Sequence, residues 1–304
     1  MGALFIGLVG CGHWGKFILR DLRELGAEVS VVARTGASAM RAEEGGAARI
    51  VSSIGALPKL DGLVVATSSV SHAQVLEEAH PLGVPTFVEK PLTCDIDSAR
   101  HVVELYGARL MVMEKWRYHP GIEMLGSIAR SGELGRVLGL KTERLQWGHR
   151  RTRDDPLWIL APHDVAIAKE VLGELPKPRA AVTQSVHGHP VSLSALCGVQ
   201  PYFQFDVSLR FPSTRRSATL YCEEGIAVLD DAYAQHVSVI RSQGPDDVAK
   251  PHIERRPLSD EMPLKRQLAA FLAHVRGGPP PKSTAAEGLE GVELIVRLRE
   301  MAGL

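Results

Sequence analysis

The chain has 304 residues, 45% of them apolar and 23% charged, which is enough for two globular domains and unlike a disordered or fibrous sequence. Thirty-five basic residues balance thirty-five acidic ones, so no global field draws in nucleic acid or an anionic membrane, and a small-molecule partner is the expectation. The four cysteines, Cys11, Cys94, Cys197 and Cys222, form no C-x-x-C pair and no cluster with histidines, so neither a metal site nor a disulfide framework is expected. Residues 1–6 lack a basic n-region, and no apolar run approaches the roughly 20 residues of a membrane span, which predicts a cytoplasmic protein.

Between residues 4 and 113, short runs rich in β-branched residues fall at 4–9, 29–33, 49–51, 63–66, 86–89 and 110–113, with helix-like segments between them. That alternation predicts a parallel sheet wound by crossover helices. Trp14, Ile18, Leu22 and Leu25 recur at helical spacing, and Gly26 ends their helix. Directly after the first run, Gly10-Cys11-Gly12-His13-Trp14-Gly15 fits G-x-G-x-x-G. In that place the first glycine makes a tight turn, the second admits a diphosphate to the backbone, and the third lets helix and strand pack closely. Gly10, Gly12, His13, Trp14 and Gly15 are therefore candidate contacts for a dinucleotide held at a helix N-terminus.

About 20 residues further on, an NAD enzyme places a carboxylate on the adenosine ribose. Arg34-Thr35 occupies that place here. A forked guanidinium and a hydroxyl suit a 2′-phosphate, so NADP(H) is expected ahead of NAD(H), with NAD(H) left open.

After His119-Pro120 the rhythm changes to a helix at 121–130 and longer strand-like stretches at 137–146, 180–186, 202–210, 218–222, 226–229 and 237–240. Turns such as Glu223-Glu224-Gly225 allow antiparallel neighbours, predicting an open, mostly antiparallel sheet. Pro162 reads as the first residue of a helix closed by Gly173, and two amphipathic helices, 264–275 and 285–301, end the chain. The expected organisation is a doubly wound α/β Rossmann domain at 1–119 and an α+β domain at 120–304 for substrate and oligomer contacts.

The glycine fingerprint, the run Val65-Ala66-Thr67-Ser68-Ser69 with His72, and above all Glu89-Lys90-Pro91-Leu92 resemble the Gfo/Idh/MocA oxidoreductases of sugars, inositols and nucleotide sugars. Trp116-Arg117-Tyr118-His119-Pro120 and Ser131-Gly132-Glu133-Leu134-Gly135 extend the likeness over nearly the whole chain. The resemblance implies that Lys90 is the catalytic lysine, that Glu89, Thr67, Ser68, His72, Trp116 and Arg117 lie near the cofactor, and that Tyr118 and Asp164 meet the substrate. Lys90 follows a strand's carboxyl end, where open α/β sheets put their ligands, and a buried amine beside a cationic nicotinamide can trade a proton with a hydroxyl.

The family's Asp-x-x-x-His element is matched by Leu157-Trp158-Ile159-Leu160-Ala161-Pro162-His163-Asp164. His163 is expected in the first turn of a helix, sharing proton transfer. Ile159 stands where the aspartate would, and an apolar side chain can neither orient an imidazole nor take a proton. Arg144, His149, Arg150, Arg151 and Arg153 could hold a diphosphate or carboxylate, although such a run reads first as a solvated loop.

The function expected is hydride transfer between NAD(P)(H) and a secondary alcohol or ketone of a sugar or nucleotide sugar. A cofactor-binding sensor without turnover is the alternative that Ile159 keeps open, and a biliverdin- or imine-reducing relative would have no need of His163. The resemblance also implies a homodimer or homotetramer assembled through the second domain's sheet.

Overall fold

The computed structural model describes residues 2–148, 156–241 and 252–304. The first part of the chain alternates strand and helix as its apolar runs require. β1 (Phe5–Val9), β2 (Glu28–Val32), β3 (Arg49–Val51), β4 (Gly62–Val65), β5 (Thr86–Glu89) and β6 (Leu110–Met113) lie in one parallel sheet, in the order β3-β2-β1-β4-β5-β6. Its central strands are apolar without alternation because helices cover both faces of a parallel sheet. The crossovers are α1 (Gly15–Glu24), α2 (Gly36–Glu44), α3 (His72–Ala79) and α4 (Ile96–Tyr106). α1 buries Ile18, Leu19 and Leu22 on the sheet. The Thr35 hydroxyl accepts the Ser38 amide to start α2, and the Asp95 carboxylate accepts the Ser98 amide to start α4. Strand order reverses between β1 and β4, and the carboxyl ends of those strands frame the crevice where such sheets take ligands.

The next part holds α5 (Pro120–Ser131), β7 (Val137–Trp147), α6 (Pro156–Leu172), β8 (Pro178–Val186), β9 (His189–Gly198), β10 (Tyr202–Ser208), β11 (Arg210–Cys222), β12 (Gly225–Leu229), β13 (His236–Arg241) and β14 (Ile253–Pro257). These strands form a sheet in the order β14-β13-β12-β11-β7-β10-β9-β8, antiparallel except for the pairing of β7 with β10. Leu140, Leu193, Phe203, Phe205 and Leu220 are fully buried in it, and Phe203 stacks on Phe205 with ring centroids 5.2 Å apart.

Two strands were not expected. β9 pairs with β8 through a turn at His187 and Gly188, both at positive φ (51° and 78°), the backbone of a tight hairpin without the usual Asn-Gly signal. β14, with the sequence Ile-Glu-Arg-Arg-Pro, is a sheet edge, and a charged edge needs no apolar alternation. α6 corrects a second expectation. It begins at Pro156, and Pro162 lies inside it, so His163 sits well within the helix rather than in its first turn. Proline costs a helix one N–H bond, but the buried run Leu157, Trp158, Leu160 and Ala161 outweighs that loss.

The chain closes with α7 (Pro263–Val275) and α8 (Ala285–Met301). Two compact units result, Met1–Lys115 with Met262–Glu293 and Trp116–Glu261 with Leu294–Leu304. The expected division at 119/120 is thus corrected for residues 262–293, which return to the first unit. Phe271 of α7 stacks on Phe87 of β5 at 5.0 Å, and Leu264, Leu268 and Leu272 join Ile6 and Leu8 in its core. Among the described residues no helix is long and apolar enough to cross a membrane.

Candidate active site

The glycine loop leaves β1 and enters α1 at the point where strand order reverses. Gly10 has φ +94°, and a Cβ there would lie 2.8 Å from the Ala66 carbonyl oxygen. A Cβ on Gly15 would lie 2.3 Å from the Gly10 carbonyl oxygen, so both positions must be glycine for the loop to close on itself. Gly12 is different: a Cβ there would meet nothing within 4 Å, and the missing side chain leaves open approach to the backbone. The Cys11 amide donates to the Ser38 hydroxyl of α2 at 3.1 Å, fastening the loop from below. His13 is exposed, with its ring edge against Phe17 at 5.8 Å.

Trp14 connects this loop to a segment 75 residues away. Its indole Nε1 donates to the Glu89 Oε1 at 2.5 Å, and the Lys115 ammonium lies 4.5 Å from the Trp14 ring centroid. Burial pushes the Glu89 carboxyl up from its ordinary value, against the pull of the neighbouring Lys90 charge and the indole donor. Lys90 is half-buried directly after β5, at the carboxyl edge of the sheet, and its peptide to Pro91 is cis. Thr67, half-buried after β4, accepts from Ser71 at 3.0 Å, and the exposed Ser68 hydroxyl is 3.1 Å from that of Ser71.

His72 opens α3 and is buried, with Nδ1 2.8 Å from the Pro91 carbonyl oxygen and Nε2 without a hydrogen-bond partner. A carbonyl can only accept, so Nδ1 carries the proton. Burial holds the imidazole below its ordinary value of 6.5, and Lys90 adds to the shift. A depressed folded value contributes stability that is full above about 6.5 and is lost as pH falls through the folded value. Unfolding free energy is therefore expected to drop below pH 6.5 by up to about 1.4 kcal/mol per pH unit. His72→Asn, whose amide can still donate to Pro91, should flatten that slope in denaturant melts; an unchanged slope would remove His72 from the explanation.

Arg34 and Thr35 follow β2, and each side chain already has a partner. Arg34 pairs with Glu78 of α3 at 2.5 Å, and Thr35 is occupied as the cap of α2. The Glu78 partner lies 44 residues from Arg34 and carried no sequence signal.

In the second unit, Trp116 carries His119 stacked on its ring at 5.1 Å, the Arg144 guanidinium at 4.5 Å and the edge of His163 at 6.5 Å. Asp164, expected at the substrate, is 0% exposed and faces Arg144 instead, with Oδ2 2.8 Å from the guanidinium Nε. Burial pushes the Asp164 carboxyl up, and the charge and hydrogen bond of Arg144 oppose it. Arg117 is buried and pairs with Glu170 of α6 at 3.2 Å, and Tyr118 is buried beside it in sequence. Ile159 and His163, four residues apart on α6, share one helical face, and both are half-buried. His149, Arg150, Arg151 and Arg153 lie outside the described residues, which leaves Arg144 as the member of that cluster with a defined place.

The family described as oxidoreductases with an NAD-binding Rossmann fold, Gfo/Idh/MocA, matches residues 4–112. A D-apiose dehydrogenase of Paraburkholderia graminis is 31% identical over 137 residues, 42% of this chain and 36% of the relative. An inositol 2-dehydrogenase of Saccharopolyspora erythraea is 30% identical over 182 residues, 56% of this chain and 54% of the relative. The chain thus spans about half the length, or less, of these curated relatives. The solved UDP-N-acetylglucosamine 3-dehydrogenase of Acidithiobacillus ferrooxidans superposes with a TM-score of 0.85, covering 99% of this chain and 98% of that one at 21% identity, a likeness of fold.

Proposed function

We propose, because residues 4–112 match the Gfo/Idh/MocA oxidoreductases with their NAD-binding Rossmann fold, that the whole chain is an NAD(P)-dependent dehydrogenase of a sugar or nucleotide-sugar hydroxyl. The observation that carries the reading is the bond from Trp14 in the glycine loop to Glu89. It ties the loop that would hold the diphosphate to the segment bearing Lys90. The cofactor supplies the hydride acceptor when bound. The chain's own part is to hold the diphosphate on the backbone at Gly12, to orient Glu89 through Trp14, and to move the hydroxyl proton with Lys90. His163 is the matching proton-handling group of the second unit, and Tyr118, Thr67, Ser68 and Trp116 complete the proposed binding set. Inositol and UDP-N-acetylglucosamine, the substrates named for relatives, are the first compounds to try. Formation of reduced coenzyme followed at 340 nm with each tests the reading; coenzyme binding without reduction by either would favour the sensor reading that Ile159 supports.

Coenzyme choice rests, in this reading, on the Arg34 and Glu78 pair. Both side chains are well exposed, 45% and 39%, so the pair adds at most about 1 kcal/mol of stability. Its effect on a dianionic 2′-phosphate is larger. A carboxylate about 5 Å from such a group costs roughly 1.5 kcal/mol even in water, about tenfold in affinity. Glu78→Gln is therefore expected to raise the NADP-to-NAD preference about tenfold, measured as the ratio of kcat/KM values. A ratio unmoved by Glu78→Gln and by Arg34→Ala would place the ribose elsewhere.

A further inference from the structure

Lys90 is the first residue beyond both ladders of β5, since the register with β4 ends at Val88 and that with β6 at Glu89. From there the backbone must be held by other means. Glu89, on one side of Lys90, is held through its carboxylate by the indole of Trp14. Pro91, on the other side, has no amide to donate, so its carbonyl is its one backbone hydrogen-bonding group, and that oxygen accepts from His72 Nδ1 at 2.8 Å. The donor is itself firmly seated. His72 is 1% exposed and opens α3, and Val75, Leu76 and Ala79 are buried on the same face of that helix. Just before it, the Ser71 hydroxyl lies 3.0 Å from Thr67 Oγ1 and 2.8 Å from the Ser68 carbonyl oxygen, which braces the loop after β4 where the ring leaves it. Burial, and behind it the Lys90 charge, keeps the imidazole neutral, so this hold on Pro91 puts no second cation beside the amine.

We propose that His72 is a positioning residue for Lys90: by holding the Pro91 carbonyl it fixes the backbone from which the Lys90 amine reaches the reacting hydroxyl. The proposal rests on the dehydrogenase reading for the use made of the amine, and adds to it the side chain that sets the amine's starting point. Trp14 lies in the loop after β1 and His72 follows the loop after β4, so Lys90 is registered against the two loops between which strand order reverses. A shift of about 1 Å in a catalytic group costs on the order of 100-fold in rate, whereas a buried carbonyl as such needs only some donor. What marks a positioning role is therefore an effect that runs through Lys90 and vanishes without it.

Acetylation of the folded full chain by acetic anhydride, read by peptide mass spectrometry as the ratio of label on Lys90 to label on the exposed Lys59, tests this without a substrate. His72→Asn puts an amide N–H where Nδ1 stands, whereas His72→Gln puts it where Nε2 stands, away from Pro91. The ratio is expected to rise about 2- to 10-fold in His72→Gln, the shift that one lost hydrogen bond gives a local equilibrium, and to stay within about 1.5-fold of wild type in His72→Asn. His72→Leu, which has no donor, is the second variant should His72→Gln not melt cooperatively, with the same rise expected. For a substrate that turns over, His72→Gln should lower kcat by about tenfold or more, yet add nothing to the loss in Lys90→Ala. A ratio unmoved in His72→Gln and His72→Leu, a rise as large in His72→Asn, or losses in kcat that add across the two sites would each overturn the proposal. The two readings fail separately. A rise confined to the variants without the Pro91 donor, in a chain that binds no coenzyme, ends the dehydrogenase reading and leaves the hold on Lys90. Bound coenzyme with an unmoved ratio ends the positioning role alone.

Discussion

Lys90→Ala is expected to lower kcat by about 10²- to 10⁴-fold, the range that a positioned general acid or base supplies, while the Kd for NAD(H) changes by less than about threefold. Lys90 follows β5 at the sheet's carboxyl edge, one residue from Glu89, whose carboxylate is held by the indole of Trp14. The strand end that bears Lys90 is thereby tied to the glycine loop, the proposed holder of the cofactor. Lys90→Arg separates the two ways a lysine can act. A guanidinium keeps the charge but does not release its proton at any working pH, so loss of turnover in both variants identifies proton transfer, whereas rescue by arginine identifies electrostatics alone. Turnover within threefold of wild type in Lys90→Ala would take the residue out of the chemistry.

The glycine loop yields the second large effect, because its members are glycine for different reasons. Gly15→Ala forces a Cβ to within 2.3 Å of the Gly10 carbonyl oxygen, a backbone atom that cannot turn aside. The variant should lose about 1–3 kcal/mol of stability, seen as a melting temperature lower by about 2–4 °C for each kcal/mol, and should lose coenzyme binding with it. The Cβ of Gly12→Val meets no protein atom within 4 Å, so the fold should stand unchanged. Affinity for both coenzymes should nevertheless fall by about 100-fold or more, near 2.7 kcal/mol, since the side chain fills the approach a diphosphate needs. Equal destabilisation by both substitutions, or full binding in Gly12→Val, would mean that the open side of the loop faces no ligand.

The first unit's strands were readable to within a residue or two because each is a short β-branched run bounded by turns, a local signal that the parallel sheet preserves. Local signals failed where distant packing decides. Pro162 looks like a helix start until the burial of Leu157, Leu160 and Ala161 extends α6 over it. The full length of β11 is hidden by a register shift between Arg210 and Arg215, so only its last residues, 218–222, read as a strand. Phe271 assigns α7 to the first unit through a ring contact with Phe87, 184 positions earlier, which no periodicity encodes.

The same division runs through the candidate site. Gly10, Gly12, Gly15 and Lys90 are legible because loop and strand edge are contiguous in sequence. The resemblance puts Asp164 at the substrate, yet successive helical residues point about 100° apart, and that rotation from His163 carries its carboxylate into the interior to meet Arg144. Glu78, which claims Arg34, is a product of tertiary pairing alone.

Titration of the purified wild-type chain with NAD⁺, NADH, NADP⁺ and NADPH by calorimetry is the most direct test that the glycine loop grips a dinucleotide. Saturable binding of at least one coenzyme, one per chain, and its loss in a folded Gly12→Val protein, is the expected result. No saturable heat with any of the four, from a protein that melts cooperatively, would contradict the account.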